Sequence, residues 1–223
     1  MHKYDYTKLP DEKAFATAAK IASYVVPRLY KPLRCAGGEN IPESGAFIFV
    51  CNHINAKDPA PLMYAAYPRR LLYFLAKEEL FQKPPVAAFM KLMGSFPVRR
   101  GVGARPALQY ALRLLEEGRA VGVFPEGTRT EDGAFLPTKV GAAYLAWHSG
   151  APVVPAAIYS PDLGHTGSAV SVAIGQPIPA AALPFGDGKA AGRRAAAEQI
   201  FDAIRALHVQ AKEMISDNRG GHP

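Results

Sequence analysis

Ala46-Phe47-Ile48-Phe49-Val50-Cys51-Asn52-His53-Ile54-Asn55-Ala56-Lys57-Asp58-Pro59 is the stretch from which the fold is read. Its first six residues form an apolar run with the length and the β-branched and aromatic content of a buried strand. Turn signals precede it, Gly37-Gly38 and Pro42-Glu43-Ser44-Gly45. The run stops at a polar cluster. Asp58-Pro59 then opens a helix, because Asp is a favoured N-cap and Pro a favoured first helical residue. Strand, polar loop and helix in this order begin a βαβ unit.

The same alternation continues downstream. Helices are expected over Pro59 to about Tyr67, Pro85 to Met93, about Pro106 to Glu117, and Val140 to His148 closed by Gly150. Between them come apolar strands at Leu71 to Leu75, Phe96-Pro97-Val98 and Arg119 to Phe124. Strands at Pro152 to Ile158 and Ala169 to Ile174 and a C-terminal helix over about Gly192 to Ile215 complete the pattern. It predicts an α/β fold, one domain with a largely parallel or mixed sheet flanked by helices. Upstream, Phe15, Ala18, Ala19, Ala22, Val25, Val26 and Leu29 recur at three- and four-residue spacing, so residues 13–31 read as an N-terminal amphipathic helix. Two readings of it stand: packing on its own domain, or lying in a membrane interface. The flank of Tyr24, Arg28, Tyr30, Lys31 and Arg34 favours the membrane. The chain thus divides into a membrane-associating segment (1–33), a main domain (34–217) and a frayed tail (218–223).

Composition narrows the function. The 223 residues are 49% hydrophobic and 20% charged, ordinary for a globular domain that needs no disulfide or metal staple. Lys+Arg 26 against Asp+Glu 19 gives +7. That excess favours an anionic partner: nucleic acid, a phospholipid surface or a phosphorylated substrate. Nucleic acid ranks lowest, since no basic helix or aromatic-basic stripe occurs. Cys35 and Cys51 form no CxxC pair, which argues against a disulfide framework or zinc knuckle and fits a reducing, cytoplasmic compartment. The longest apolar candidate, Ala14 to Pro27, is interrupted by Lys20 and falls short of the roughly 20 residues a spanning helix needs.

Three polar clusters each follow an expected strand: Asn52 to Asp58, Arg99-Arg100-Gly101, and Pro125-Glu126-Gly127-Thr128-Arg129. In a parallel sheet these positions gather at the carboxyl ends of the strands, where open α/β folds bind ligands. On a helix His53 and Asp58 would stand about 140° apart, so they meet only if a loop joins them. One reading makes Asp58 a cap and His53 a loop histidine. The other makes them a dyad in which Asp58 fixes the imidazole tautomer and the second ring nitrogen acts as general base. Arg100 and Arg129 are solvated arginines or bidentate phosphate ligands. Glu126 pairs with one of them or belongs to the ligand site, and Gly127 permits close backbone approach to a ligand. Lys77 adds a cation to the rim or is an exposed lysine opposite Glu78 and Glu79.

Other chemistries fail on inspection. Gly101-Val102-Gly103-Ala104-Arg105-Pro106 lacks the third glycine of a dinucleotide fingerprint, and no phosphate loop or GxSxG elbow occurs. The other histidines are scattered without ligand spacing, so no metal site is expected. Cys51, at the end of an apolar strand, reads as packing rather than as a nucleophile.

Four ordered segments resemble the glycerolipid acyltransferase family, in particular its bacterial members that acylate 1-acyl-sn-glycerol-3-phosphate. Asn52-His53-(four residues)-Asp58 resembles the first motif, and Gly94-Ser95-Phe96-Pro97-Val98-Arg99-Arg100-Gly101 the second. Phe124-Pro125-Glu126-Gly127-Thr128-Arg129-Thr130 is similar to the third and Val153-Val154-Pro155-Ala156-Ala157-Ile158 to the fourth, with smaller echoes such as Lys139 with Gly141. The resemblance implies transfer of an acyl chain from an acyl-CoA or acyl-carrier-protein thioester to lysophosphatidic acid, giving phosphatidic acid, with no cofactor and no metal. It implies that His53 deprotonates the acceptor and Asp58 orients His53. Arg100, Glu126, Gly127, Thr128 and Arg129 would bind the acceptor, with Lys77 a further member, and Pro155 would shape the acyl side. It also implies a monotopic, peripheral enzyme on the cytoplasmic face of the inner membrane. Two rivals stay open: another lysolipid acceptor, and a non-catalytic anionic-lipid binding protein. Arg99 departs from the family pattern, where many relatives carry an acid.

Overall fold

The run Phe47–Cys51 is a strand whose five residues are all buried. Each large side chain in it contributes on the order of 1.5–3 kcal/mol by leaving water. The computed structural model describes residues 4–8, 10–99 and 104–216. Arg100, Gly101 and the expected tail 218–223 lie outside the described residues. In chain order the elements are α1 (Glu12–Leu29), β1 (Leu33–Ala36), β2 (Phe47–Cys51), α2 (Pro59–Ala66), β3 (Leu72–Lys77) and α3 (Pro84–Leu92). Then follow β4 (Phe96–Val98), α4 (Arg105–Glu116), β5 (Ala120–Val123), α5 (Gly141–Ser149), β6 (Val153–Tyr159), β7 (Val170–Ile174) and α6 (Ala190–Ser216).

The strands form one seven-stranded sheet in the order β1-β7-β6-β2-β5-β3-β4. From β6 to β4 every neighbouring pair is parallel, whereas β7 runs antiparallel to β6 and β1 parallel to β7. The sheet is therefore mixed. The edge strand β1 carries no sequence signal, because its half-exposed Leu-Arg-Cys-Ala has no apolar run. It exists by pairing with β7, Leu33 opposite Val170 through Ala36 opposite Ala173. Pro155 sits within β6 opposite Val50 and is buried in the sheet, where it accepts from Gly175 N at 2.8 Å.

Connections of parallel strands are right-handed. The step from β2 through α2 to β3 moves one way along the sheet, and the step from β5 through α5 to β6 moves the other way. Hence α2 and α5 cover opposite faces. α1 packs on α2, while α4, α5 and α6 pack in sequence on the other side.

α1 is capped by Asp11, whose side chain accepts from Ala14 N at 3.0 Å, and it ends at Leu29, two residues before the expected limit. The packing reading of this helix holds on its inner side. Phe15, Ala19 and Val26 are buried, with the Phe15 ring edge-on to Tyr73 at 5.1 Å. On the outer side Ile21 and Tyr24 are 62% and 61% exposed, and Val25 and Leu29 are also exposed. The N-terminal segment is thus part of the main domain's packing rather than an appendage. Tyr6 Oη donates to Pro97 O at 2.8 Å, and Tyr110 Oη to Lys8 O at 3.0 Å. Among the described residues no helix is long and apolar enough to cross a membrane.

Candidate active site

Neighbouring strands whose following helices leave to opposite faces open a crevice at their carboxyl ends. Here those strands are β2 and β5, paired from Phe47 opposite Ala120 to Val50 opposite Val123. The loop after β2 carries His53, and the loop after β5 carries Glu126. Topology alone therefore brings the first and third sequence clusters together.

His53 is held at four points. Its backbone N donates to Glu126 Oε1 at 2.9 Å, and its backbone O accepts from Thr130 N at 3.0 Å. The ring stacks on Phe124, with centroids 3.9 Å apart and planes 14° apart, and Phe124 stacks in turn on Phe74. Nδ1 lies 2.8 Å from Asp58 Oδ2. The same Oδ2 accepts Ile54 N at 2.7 Å and Asn55 N at 2.8 Å. An ionised carboxylate only accepts, so in the neutral imidazole this contact assigns the proton to Nδ1 and leaves the lone pair on Nε2. Asp58 is 2% exposed, while the His53 side chain is 14% exposed and reachable. The residues between them form a loop and turn, as the meeting of the two side chains requires.

Two residues that the sequence did not single out fix this loop. Asn52 is buried and clamps β2 to β6, its Nδ2 donating to Ile158 O at 3.0 Å and its Oδ1 accepting from Ile158 N at 2.9 Å. Asn55 Nδ2 donates to Leu163 O at 2.8 Å and ties the turn to the segment after β6. Their signal was membership of a polar run directly after a strand, with Asn52 also opening the first motif.

Glu126, expected among the substrate contacts, is tied to the protein backbone in this structure. It is 2% exposed, and its second oxygen accepts from Leu136 N at 2.8 Å. Both oxygens thus organise loops. Burial pushes its carboxyl above the usual range, against the pull of the two backbone N–H groups. Glu126→Gln would set an amide NH2 against one of those N–H donors, with an expected loss of about 1–3 kcal/mol in urea unfolding. The sign with pH follows from the raised pKa. The folded protein holds the Glu126 proton more tightly than the unfolded chain does, which favours folding below the ordinary carboxylate range. That contribution is lost as pH rises through the raised pKa. Wild type's advantage over the non-titrating variant should narrow across that window and be flat above it; widening with pH would contradict this placement.

Thr128 and Arg129 are exposed on the same loop, and Arg129 makes no ion pair or hydrogen bond among the described residues. Gly127 between them and Glu126 adopts φ +68°, a conformation that favours glycine. Lys77, at the carboxyl end of β3, is paired with Glu79 at 3.3 Å, both about half exposed. Arg99 is exposed, with Nε 4.0 Å from Glu78 Oε2. Arg100, expected in the anion site, lies outside the described residues. Cys51 is fully buried and burial raises its thiol pKa well above normal, so it packs and does not attack. Among the described residues no three His, Cys, Asp or Glu side chains gather in a way that could hold a metal.

Comparison with known proteins bears on the family and the fold. A family model described as Acyltransferase matches residues 32–159. A 1-acyl-sn-glycerol-3-phosphate acyltransferase of Bacillus subtilis (strain 168) is 36% identical over 126 residues, 56% of this chain and 62% of its own. One of Borreliella burgdorferi is 35% identical over 127 residues, 56% of this chain and 50% of its own. The matched region therefore spans between half and two-thirds of these curated relatives. The crystal structure of the 1-acyl-sn-glycerophosphate (LPA) acyltransferase PlsC from Thermotoga maritima superposes with a TM-score of 0.63 at 23% identity, covering 95% of this chain and 80% of that one. That likeness shows a shared fold. With more than half its length matched by the family model, and its histidine and aspartate in hydrogen-bond contact on the ligand rim, the chain belongs to the acyltransferase family.

Proposed function

We propose that the protein transfers an acyl chain from an acyl-CoA or acyl-carrier-protein thioester to the free hydroxyl of lysophosphatidic acid, giving phosphatidic acid. The observation that carries this reading is the contact of His53 Nδ1 with Asp58. Its Nδ1–H is committed to a carboxylate that already accepts two backbone N–H groups, so Nε2 is the base. Nε2 takes the proton as the acceptor oxygen attacks the thioester carbonyl carbon. The tetrahedral oxyanion then collapses, the carbon–sulfur bond breaks, and the imidazolium returns its proton to the leaving thiolate. Asp58 holds the tautomer and supports the imidazolium. No enzyme nucleophile is required, and the buried Cys51 supplies none. Thr128 and Arg129, exposed on the loop whose Thr130 N donates to His53 O, bind the acceptor headgroup, and Arg100 is assigned to the same role from the sequence motif alone. The names of the relatives support this choice of acceptor.

The acceptor is a membrane lipid, and the outer surface suits one. Ile21, Tyr24 and Val25 of α1 are exposed, as are Val86, Phe89 and Leu92 of α3, a helix in contact with it. In sequence Arg28 and Lys31 follow the first set, while Lys83 precedes the second and Lys91 lies within it. Apolar side chains framed by cations fit an anionic leaflet approached from one side. The protein so described works peripherally on the cytoplasmic face of the membrane.

The test is release of free thiol from long-chain acyl-CoA and from acyl-carrier protein across a panel of lysolipids. Lysophosphatidic acid should give the highest kcat/KM by at least about tenfold, as loss of a charge-assisted contact predicts. Preference for a different lysolipid would move the acceptor. Absence of acceptor-dependent release with any would leave a lipid-binding protein.

A further inference from the structure

Lys139 brings a positive charge to the loop after β5, and no acid among the described residues pairs with it. Its main chain is fixed. Lys139 N donates to Pro125 O at 2.8 Å, and Thr138 O just before it accepts from Arg194 Nη1 of α6 at 2.8 Å. From this anchored stem the side chain folds back over Gly127. The point where a Cβ on Gly127 would stand lies 3.0 Å from Lys139 Cδ, 3.1 Å from Cε and 2.6 Å from Nζ. Gly127 is therefore glycine for two separate reasons, its positive φ and the lysine laid across it. A lysine answering only to water has no reason to lie against a bare backbone, since ordering its stem costs up to about 2 kcal/mol.

The charges around it sharpen the point. The two buried acids of the rim are spent on the protein. Asp58 Oδ2 accepts His53 Nδ1, Ile54 N and Asn55 N, and the Glu126 oxygens accept His53 N and Leu136 N. Asp132, in the loop between, accepts from Thr130 Oγ1 and Ala134 N. The ammonium of Lys139, the Thr128 hydroxyl and the Arg129 guanidinium are left on one loop, whose Glu126 and Thr130 are bonded to the backbone of His53, without an ion pair among the described residues.

We propose that Lys139 is a specificity-determining residue of this site, its ammonium pairing with phosphoester oxygens of a substrate alongside Arg129. An ammonium is a point charge that suits a tetrahedral anion from any side, and Arg129 supplies the planar fork. The inference rests on the acyl-transfer reading above. The phosphoester comes from the acceptor headgroup or from the coenzyme A donor, and the experiment separates the two.

Lys139→Met and Lys139→Arg are compared with wild type by thiol release, with melting temperatures taken to match folded fractions. If the acceptor is the source, Lys139→Met raises KM for lysophosphatidic acid about 10–100-fold with kcat within about threefold, and leaves KM for acyl-CoA unchanged. If the donor is the source, KM for acyl-CoA rises instead while acyl-pantetheine, which lacks the phosphates, is unaffected. Lys139→Arg should recover most of the loss in either case. Unchanged KM values for both substrates would overturn the proposal. So would an equal loss with monoacylglycerol and acyl-pantetheine, which carry no phosphate and would report only a damaged loop. A thermal-shift titration with inorganic phosphate is read separately. If wild type transfers nothing yet phosphate stabilises it and not Lys139→Met, the reaction reading falls and the anion site stands. If phosphate stabilises both proteins alike, Lys139 is not the ligand.

Discussion

His53→Ala is expected to lower the rate of acyl transfer by about 10²–10⁴-fold, the range that positioned general-base catalysis supplies. The fold should survive it. The loops around His53 are joined through its backbone, N to Glu126 and O to Thr130, and alanine keeps both atoms. What is lost is the ring on Phe124 and the hydrogen bond to Asp58, one stacked contact worth about 0.5–1.5 kcal/mol and one polar contact. The measurement is kcat by thiol release on samples matched in circular dichroism and melting temperature. A variant within about tenfold of wild type would remove His53 from the chemistry.

Asp58→Asn is expected to cost about 10³–10⁴-fold in kcat, the scale seen when an aspartate that fixes a histidine tautomer is neutralised. The reason lies in the donors crowded on one oxygen. Asp58 Oδ2 accepts His53 Nδ1, Ile54 N and Asn55 N at 2.8, 2.7 and 2.8 Å. An asparagine whose oxygen keeps the two backbone N–H groups offers no charge to an imidazolium. One whose NH2 turns toward His53 forces Nδ1 to accept, which moves the ring proton to Nε2 and removes the base. Leaving a buried donor unmet also costs about 1–3 kcal/mol, so melting temperature should fall with activity. Nitrogen-15 spectra of the His53 ring separate the effects: wild type should show the proton on Nδ1, and the variant a shift toward Nε2. Full activity with the Nδ1 tautomer kept would contradict this role.

Local chemistry made the first strand, its loop and the following helix legible. Phe47 to Cys51 is an unbroken apolar run and Asp58-Pro59 a helix start, and both boundaries lie where those signals put them. The rim was legible for a related reason, since strands alternating with helices gather their carboxyl ends. What local pattern cannot carry is sheet order. That β2 neighbours β5 decides that Glu126 meets the backbone of His53 and that Phe124 stacks on its ring, and neither contact is encoded in either segment alone. The same limit hid β1, an edge strand whose partner lies far along the chain. In α1 the spacing that marked a helix also mixed two surfaces. Phe15, Ala19 and Val26 turn inward while Val25 and Leu29 turn outward, because an apolar stripe this wide exceeds the face that one core contact covers.

On the proposed reading, His53 drives direct transfer from thioester to lysophosphatidic acid. The measurement that tests it most directly follows free thiol and phosphatidic acid together, with labelled lysophosphatidic acid and acyl-CoA, for wild type and for His53→Ala. Wild type should form the two products in equal amounts, and His53→Ala should form almost none of either. Thiol release without phosphatidic acid, or undiminished phosphatidic acid from His53→Ala, would contradict it.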